Sequence, residues 1–254
     1  MRVPRVYLDQ PLHSGAELAL DKAAAHYLVS VLRLRADDAL TVFNGNGGEY
    51  TATLQSATNK QASITVGSHS EGVKPSPVKI VLAIGLSRGE RMDWVIQKAV
   101  ELGVNEVIPL FTERCEVKLK GERALKKLGH WQQIAISACE QSQRNDVPMI
   151  KPAQPLSEFL ATIATPSTPS DTDLRLILDP RAEQSLGSTL LDKDPSTNTI
   201  VLLSGPEGGF SDGEVEQAQQ KCVISVGLGP RVLRTETAPL AALSIVQALL
   251  GDMV

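Results

Sequence analysis

The chain has little of what several classes of protein depend on. Phe, Trp and Tyr make up 4% of its 254 residues, so extended stacking of nucleic-acid bases on aromatic side chains is not expected. The cysteines number three and lie far apart, at Cys115, Cys139 and Cys222, which argues against a disulfide framework and favours a reducing compartment. The four histidines show no metal-ligand spacing with one another or with the cysteines, so no metal site is expected.

Long apolar runs are also missing. No stretch approaches the roughly 20 apolar residues that span a bilayer, and the first residues have no apolar core of signal-peptide length. A hydrophobic content of 42% with 21% charged residues is typical of a globular protein, and we therefore expect a cytoplasmic protein without a membrane partner.

The net charge of −4 argues against a protein that coats nucleic acid non-specifically. Residues 150–254 hold 7 Lys/Arg and 13 Asp/Glu, whereas residues 1–149 hold 18 and 16. The N-terminal part can therefore present a basic face to phosphate. Charged side chains that merely face solvent explain the same counts, and the charge distribution alone favours this simpler interpretation.

The first 70 residues are β-rich. The apolar runs at 39–43 and 49–54 flank the glycine-rich stretch 45–48, a pattern that predicts a hairpin rather than a phosphate loop because a strand follows it. A further strand is predicted at 61–66 and a short helix at 22–32. The polar stretch 67–77, with two glycines and two prolines, is the best candidate linker.

The rest of the chain alternates apolar runs with helical patterns, which predicts an α/β fold with a parallel sheet. The expected domains are 1–72, a linker at 73–77, and 78–254. Strands are predicted at 78–84, 106–111, 174–178, 199–203 and 223–226. Capping boxes at Ser87/Glu90 and Ser211/Glu214 predict two helix starts, residues 122–144 predict a long helix, and 164–173 predict a loop. The last helix is apolar all round, so we expect it to be covered on every side, in part by a dimer partner.

Two glycine-containing segments follow apolar, β-branched runs near the C-terminus. Residues 205–210 read GPEGGF and residues 227–238 read GLGPRVLRTETA, and each is followed by a helix start. Loops at the carboxyl ends of parallel strands are where open α/β sheets bind small ligands. The pattern is neither a dinucleotide fingerprint nor a P-loop.

GPEGG followed by LGxRVLRTETA resembles the signature of the RsmE family, SPOUT-class methyltransferases that methylate N3 of a uridine in small-subunit ribosomal RNA. Four further stretches resemble the same family: residues 2–5 (RVPR), 26–33 (HYLVSVLR), 97–104 (QKAVELGV) and 140–144 (EQSQR). One departure is Ala36-Asp37, where the family often has glycine-aspartate. The resemblance implies a small N-terminal PUA-like β-barrel that binds RNA, a C-terminal domain with a trefoil knot, and a homodimer.

The resemblance also implies a cofactor, S-adenosyl-L-methionine, in a pocket formed by the loops after Leu178, at 205–209 and at 226–233. Backbone groups of such loops can read adenine between aliphatic side chains, and glycine allows the close approach that this requires. The implied cofactor-binding residues are Leu178, Gly205, Pro206, Glu207, Gly208, Val226, Leu228, Gly229, Val232 and Leu233.

Methylation of uridine N3 requires loss of an imide proton, so cations near O2 and O4 assist it. Arg231 and Arg234 are the first candidates, and Glu207 is the candidate carboxylate for contacting the cofactor or accepting the proton. Two alternatives remain open: Arg234 can instead pair with Glu236 or Glu207, and Glu207 can instead brace its loop. Residues 235–237 are expected to fix the loop and cap the final helix.

Arginines are the candidates for docking RNA, because the guanidinium fork donates two hydrogen bonds to phosphate. The candidates near the N-terminus are Arg2, Arg5, Arg33 and Arg35. Gln141, Ser142 and Arg144 can line the uridine pocket or form a network at a helix C-terminus. The expected partner is small-subunit rRNA, within the 30S subunit. Two rival hypotheses are a SPOUT enzyme acting on a ribose 2′-hydroxyl or a tRNA base, and a non-catalytic RNA-binding factor.

Overall fold

The computed structural model describes residues 3–58, 61–163 and 173–253. The chain divides into two compact units, Met1–Pro75 with Cys139–Val147, and Ser76–Ala138 with Pro148–Val254. Two predictions fall outside the described residues: the RNA contact of Arg2, and residues 164–172 of the predicted loop.

A five-stranded sheet in the order β1-β3-β4-β5-β2 forms the first unit. Its strands are β1 (Arg5–Tyr7), β2 (Glu17–Leu20), β3 (Ala39–Phe43), β4 (Glu49–Ala57) and β5 (Ala62–Ser70). The pair β1–β3 is parallel and the other three pairs are antiparallel. Helix α1 (Lys22–His26) continues as a π-helical turn (Tyr27–Val31). The predicted hairpin, third strand and helix are thus confirmed.

The core of this unit follows from the period-2 pattern of its strands. Alternate residues on β4 and β5 are buried and their neighbours are not, and α1 supplies apolar side chains to the same cluster. Its members that are at most 1% exposed are Ala25, Leu28, Val42, Leu54, Ile64 and Val66. One core therefore joins all five strands and α1.

Two features of this unit depart from expectation. Strand β5 runs to Ser70, so the start of the predicted linker is strand. Gly67 makes this possible, because a Cβ there would collide with Thr51 at the register shift in β4. In addition, Cys139–Val147 groups with this unit and not with the second, because Arg5 donates to the Asn145 Oδ1 atom at 2.7 Å.

A parallel sheet in the order β12-β10-β11-β6-β7-β8, with β9 also paired to β7, forms the second unit. The strands are β6 (Lys79–Gly85), β7 (Glu106–Phe111), β8 (Met149–Ile150), β9 (Gln154–Pro155), β10 (Asp173–Leu178), β11 (Thr199–Ser204) and β12 (Ile224–Val226). All registers are parallel, which confirms the α/β prediction. The central strands β6 and β11 are buried along nearly their whole length, as expected for strands covered on both faces.

Six helices accompany this sheet in the described ranges. They are α2 (Arg91–Glu101), α3 (Gly121–Ser142), α4 (Leu156–Thr162), α5 (Leu186–Leu191), α6 (Asp212–Gln219) and α7 (Thr237–Leu250). Helices α4 and α6 contribute Phe159 and Val215 to one buried cluster with the sheet, whereas α7 packs against α2, α5 and β11. No helix in these ranges is both long and apolar enough to cross a membrane.

The two predicted capping boxes have different outcomes. The Ser211 side chain accepts from the Glu214 N–H and Glu214 reaches back to the Ser211 N–H, so this box is confirmed. The box at Ser87 is wrong, because α2 begins only at Arg91 and no side chain caps it. A turn containing Gly89, with φ +64°, separates Ser87 from the helix.

Candidate active site

A cavity of about 650 Å³ opens at the carboxyl ends of β10, β11 and β12. This volume is in the range of sites that hold small organic ligands. The strand order creates the cavity: β12 pairs with β10 and β10 with β11, so the loops that follow these strands meet at one edge.

All ten predicted cofactor-binding residues line this cavity, namely Leu178, Gly205, Pro206, Glu207, Gly208, Val226, Leu228, Gly229, Val232 and Leu233. The three predicted catalytic residues, Glu207, Arg231 and Arg234, line it as well. The structure therefore brings together three loops that are separated by up to 50 residues along the chain (roughly 178–228).

The loop that follows β11 needs glycine for close backbone packing. A Cβ on Gly205 would lie 3.0 Å from the Gly209 Cα atom, and a Cβ on Gly85, at the end of β6, would lie 2.5 Å from the Pro206 Cδ atom. Gly209 has a φ of +66°, a conformation that L side chains rarely adopt. Backbone rather than side chains therefore forms this wall of the cavity.

The Glu207 carboxylate braces the wall. It accepts hydrogen bonds from the Arg88 N–H at 3.0 Å and from the Arg91 guanidinium at 2.5 Å. Burial alone would raise the pKa of Glu207, but hydrogen bonds from its own N–H, from Arg88 and from Arg91 outweigh burial, so the pKa lies below its ordinary value. A carboxylate held in this way is a weak proton acceptor, which favours the bracing role over the catalytic one.

The segment that follows β12 bonds to the chain after β10 at one end and to the loop after β11 at the other. Gly227 donates its N–H to the Gln184 carbonyl at 2.8 Å and accepts from the Leu186 N–H at 3.0 Å. Eight residues further on, the Thr235 hydroxyl donates to the Gly205 carbonyl at 2.9 Å and lies 3.3 Å from the Ser87 hydroxyl. Thr235 therefore fixes the loop, as predicted.

The predicted capping of the final helix by side chains is wrong. Glu236 occupies the N-cap position of α7 and has αR backbone angles, and no side chain caps the helix. The Arg234 carbonyl instead accepts from the N–H groups of Thr237 and Ala238, at 2.9 and 3.0 Å. A backbone turn thus satisfies the start of α7, because the chain enters the helix already in helical geometry.

Two cations at the rim of the cavity face solvent. The Arg234 side chain is 80% exposed and lies 4.0 Å from the Glu236 carboxylate, the distant limit of an ion pair. Arg231 is exposed and has no ion pair with any residue in the described ranges. Both guanidinium groups can therefore meet a polar or anionic group that enters the cavity.

Sequence reasoning missed three further arginines at the cavity. Arg114 donates to the Gly208 carbonyl at 3.0 Å, and Arg91 binds Glu207. Arg181 joins Asp179, at 3.1 Å, to Asp212, at 2.6 Å, and these carboxylates raise its pKa. The available signal was position, since each of the three follows the carboxyl end of a sheet strand by a few residues.

The predicted RNA-binding arginines differ in exposure. Arg33 and Arg35 are exposed in the first unit, and Arg33 has a φ of +59°. The Arg5 side chain is only 8% exposed and forms an ion pair with Glu49. Its position is that of a bracing residue, so the prediction that Arg5 contacts phosphate finds no support in its surroundings.

The 140–144 element also has a bracing geometry. Glu140 accepts from the Tyr7 N–H at 3.0 Å and from the Tyr27 hydroxyl at 3.2 Å, and Arg144 pairs with Asp146. Gln141 is exposed, Ser142 is half-buried, and neither is among the residues that line the cavity. These contacts favour the alternative of a network at the helix C-terminus.

A parallel sheet with a glycine-walled cavity at its carboxyl edge is typical of α/β proteins that bind a small ligand there. A family model described as an RNA methyltransferase domain matches residues 74–247, and one described as an RNA methyltransferase PUA domain matches residues 20–67. The chain belongs to the ribosomal RNA small subunit methyltransferase E family. This membership confirms the resemblance found in the sequence.

Individual relatives cover the whole chain. The ribosomal RNA small subunit methyltransferase E of Buchnera aphidicola subsp. Schizaphis graminum is 35% identical over 252 residues, which are 99% of this chain and 98% of the relative. The crystal structure of the Neisseria gonorrhoeae enzyme bound to S-adenosyl methionine is 38% identical, covers 100% of both chains and has a TM-score of 0.88. A methyltransferase from Legionella pneumophila in complex with the same cofactor is also 38% identical, with 100% coverage of both chains and a TM-score of 0.90.

Proposed function

We propose that this chain transfers the methyl group of S-adenosylmethionine to N3 of a uridine in 16S rRNA of the small ribosomal subunit. The observation that carries the proposal is the 650 Å³ cavity, whose lining includes all ten residues expected to hold the cofactor. The related structures with bound S-adenosylmethionine support the choice of cofactor.

The residues that line the cavity fit this cofactor. Leu178, Val226 and Leu228 give the cavity an aliphatic lining suited to an adenine ring, and the glycine loops bring backbone N–H and C=O groups to the same cavity. Asp179 and Glu207 supply carboxylates near the same space. When bound, S-adenosylmethionine supplies an electrophilic methyl group on a sulfonium.

The two exposed arginines supply the catalytic electrostatics. Removing the N3 proton of uridine leaves negative charge on the imide, which its two carbonyl oxygens share. Arg231 and Arg234 at the rim donate hydrogen bonds to these oxygens and stabilise the charge as it develops. Glu207 is already held by Arg88 and Arg91, so it keeps the wall in place and the proton passes to water.

We also propose a trefoil knot in the second unit. It is supported by the path of residues 227–236, which bond to the loop after β10 at one end and to Gly205 at the other before α7 packs against α2 and α5. A homodimer is supported by α7, an apolar helix in which Leu249 continues the face of the buried Ala242 and Val246 but is itself 41% exposed.

The remaining proposals concern the substrate. Residues 1–72, with Arg33 and Arg35 exposed, help to dock the RNA, and residues 78–254 carry out the transfer. The substrate is the RNA within the 30S subunit, and the protein acts in the cytoplasm where that subunit is assembled.

The decisive experiment uses purified protein, methyl-labelled S-adenosylmethionine and 30S subunits from cells that lack this gene, followed by nucleoside analysis. We expect the label in N3-methyluridine. We also expect Arg234→Ala to lower kcat by about 10²-fold or more, as loss of one charge-stabilising donor does elsewhere, with the KM for the cofactor little changed. Glu207→Gln, the matched variant, should keep kcat within about tenfold, because an amide oxygen still accepts from Arg88.

Other outcomes discriminate among the alternatives. Label in a ribose or in another base would keep the cofactor and discard the uridine N3 assignment. An absence of label, with unmodified RNA shown to be present, would favour the non-catalytic RNA-binding factor. A Glu207→Gln variant with as little activity as Arg234→Ala would restore Glu207 as the proton acceptor.

A further inference from the structure

The chain between β7 and the middle of α3 has a strong excess of positive charge. Residues 114–130 hold six Lys/Arg and two Asp/Glu, in a second unit whose residues 150–254 have an excess of six acidic residues. Arg114 lines the cavity, and the mechanism above uses none of these cations. They can be sorted by whether a carboxylate already engages them.

Two of the basic residues are engaged by Asp93 of α2. The Lys127 ammonium and the His130 ring each lie 2.7 Å from its carboxylate, and the Trp131 indole N–H donates to it at 2.9 Å. These three bonds hold the first half of α3 against α2. They also fix the orientation of this part of α3 about its own axis.

Three other cations have no carboxylate partner, and a fourth has only a distant, exposed one. Lys118, Lys120 and Arg123 are exposed, and none has an ion pair or side-chain hydrogen bond with any residue that the structure describes. Lys126 lies 4.0 Å from Glu122, with both side chains more than 80% exposed. A pair so open to water contributes little and separates readily. We call Lys118, Lys120, Arg123 and Lys126 the basic surface.

The basic surface begins beside the cavity. Arg114 lines the cavity and donates to the Gly208 carbonyl, and the Glu113 N–H donates to the Glu214 carboxylate at 2.7 Å. An extended chain covers at most about 3.6 Å per residue, so the Cα atom of Lys118 lies within about 14 Å of that of Arg114. A few nucleotides of RNA span the same distance.

We propose that the basic surface binds the phosphates that flank the target nucleotide while its base occupies the cavity. The inference rests on the proposed function, since it requires an RNA substrate. Lysine and arginine side chains bind phosphate without reading sequence, so the surface adds affinity and orientation rather than base specificity. It also explains how a chain with a net charge of −4 can bind a polyanion.

The test compares two variants of equal net charge. The first replaces Lys118, Lys120, Arg123 and Lys126 with Gln. The control replaces Lys79, Lys151, Lys193 and Lys221 with Gln. The control lysines lie at or near the amino-terminal ends of β6, β7, β11 and β12, at the edge of the sheet opposite to the cavity. Any effect of overall charge is therefore common to both variants.

Binding of unmodified 30S subunits is measured as a function of salt concentration, with cofactor affinity measured separately. If the four side chains each contact a phosphate, the slope of log K against log salt becomes shallower by about 3, since each contact contributes roughly 0.7–0.9. We expect this change only in the first variant, together with a dissociation constant at least tenfold higher near 0.1 M salt. Cofactor affinity should stay within twofold of the parent in both variants.

A slope equal to that of the control variant would overturn the proposal. The failure of the proposed function is a separate result, because it is read from the parent protein as an absence of N3-methyluridine. If the parent methylates RNA but the slope is unchanged in the first variant, only the proposal of the basic surface is rejected. If the slope becomes shallower in the first variant but the parent does not methylate RNA, the basic surface is retained and the proposed reaction is rejected.

Discussion

At the scale of single residues, the cavity depends on how closely backbones approach one another. Gly85 ends β6 next to Pro206, and a Cβ on Gly85 would lie 2.5 Å from the proline Cδ atom and 2.6 Å from its nitrogen. Neither atom can move without displacing the cavity wall. We expect Gly85→Ala to raise the dissociation constant for S-adenosylmethionine at least tenfold and to lower the free energy of unfolding by about 1–3 kcal/mol. Titration calorimetry and urea unfolding measure the two effects.

Gly187→Ala is the matched control for this substitution. Gly187 lies in α5, and nothing is within 4 Å of a Cβ built there. Alanine should leave cofactor affinity unchanged and stabilise the helix by up to about 1 kcal/mol. Equal cofactor affinity in the two variants would mean that Pro206 does not constrain the wall.

The residues of the site were predictable to different degrees. Gly205 and Gly229 were predictable because each stands in a loop between a predicted strand and a predicted helix, in segments that resemble the family signature. The bracing role of Glu207 was open, since it depends on Arg88 and Arg91, more than 100 residues away. The burial of Arg5 was not predictable either, because its partner Glu49 is brought to it only by the sheet.

At the scale of secondary-structure elements, long apolar patterns predicted strands and helices correctly, whereas the shortest elements were not predicted. Strands β3 and β7 have the predicted bounds, and α2 buries one apolar face that includes Met92, Val95, Ile96 and Ala99. The two-residue strands β8 and β9 and the short helices α4 and α5 were not predicted. Elements of this length have too few residues to show a period, and tertiary packing decides whether they form.

The contact between α2 and α3 gives a prediction at this scale. Burial would raise the pKa of Asp93, but hydrogen bonds from Lys127, His130 and Trp131 lower it below the ordinary value of 3.8. Because the folded-state pKa is depressed, the carboxylate stabilises the fold fully above about pH 4 and loses this effect as the pH falls through the folded-state value. We expect Asp93→Asn to lower the free energy of unfolding by about 1–2 kcal/mol at pH 7.

Urea unfolding at several pH values tests this dependence. The difference between the parent and Asp93→Asn should be constant from pH 7 to about pH 5 and should shrink below pH 4. Glu122→Gln on α3 is the control and should have no measurable effect, because its pair with Lys126 is almost fully solvated. A difference between parent and Asp93→Asn that persists unchanged at pH 3 would contradict the role given to the ionised carboxylate.

At the scale of the whole molecule, the sequence indicated the order of a β-rich and an α/β part but not the membership of Cys139–Val147. Helix α3 is continuous in sequence pattern through Ser142, so nothing local marks the point at which the chain changes unit. The reason is a set of polar contacts, Arg5 with Asn145 and Tyr27 with Glu140, that form only between distant parts of the chain. Buried polar networks of this kind specify an arrangement that hydrophobic patterning leaves open.

The proposed homodimer gives the last prediction, and it depends on α7. The buried residues of this helix include Ala242 and Val246, and Leu249, seven and three residues further on, continues the same face but is 41% exposed. A chain that leaves this apolar end of the helix open gains by covering it with a second copy. Leu249→Glu should therefore shift the protein from dimer to monomer in sedimentation equilibrium at micromolar concentration, with its circular dichroism unchanged. Leu125→Glu, at a leucine 70% exposed on α3, should remain a dimer. If both variants sediment as the parent does, α7 is not the dimer interface, and a monomeric parent would remove the dimer itself.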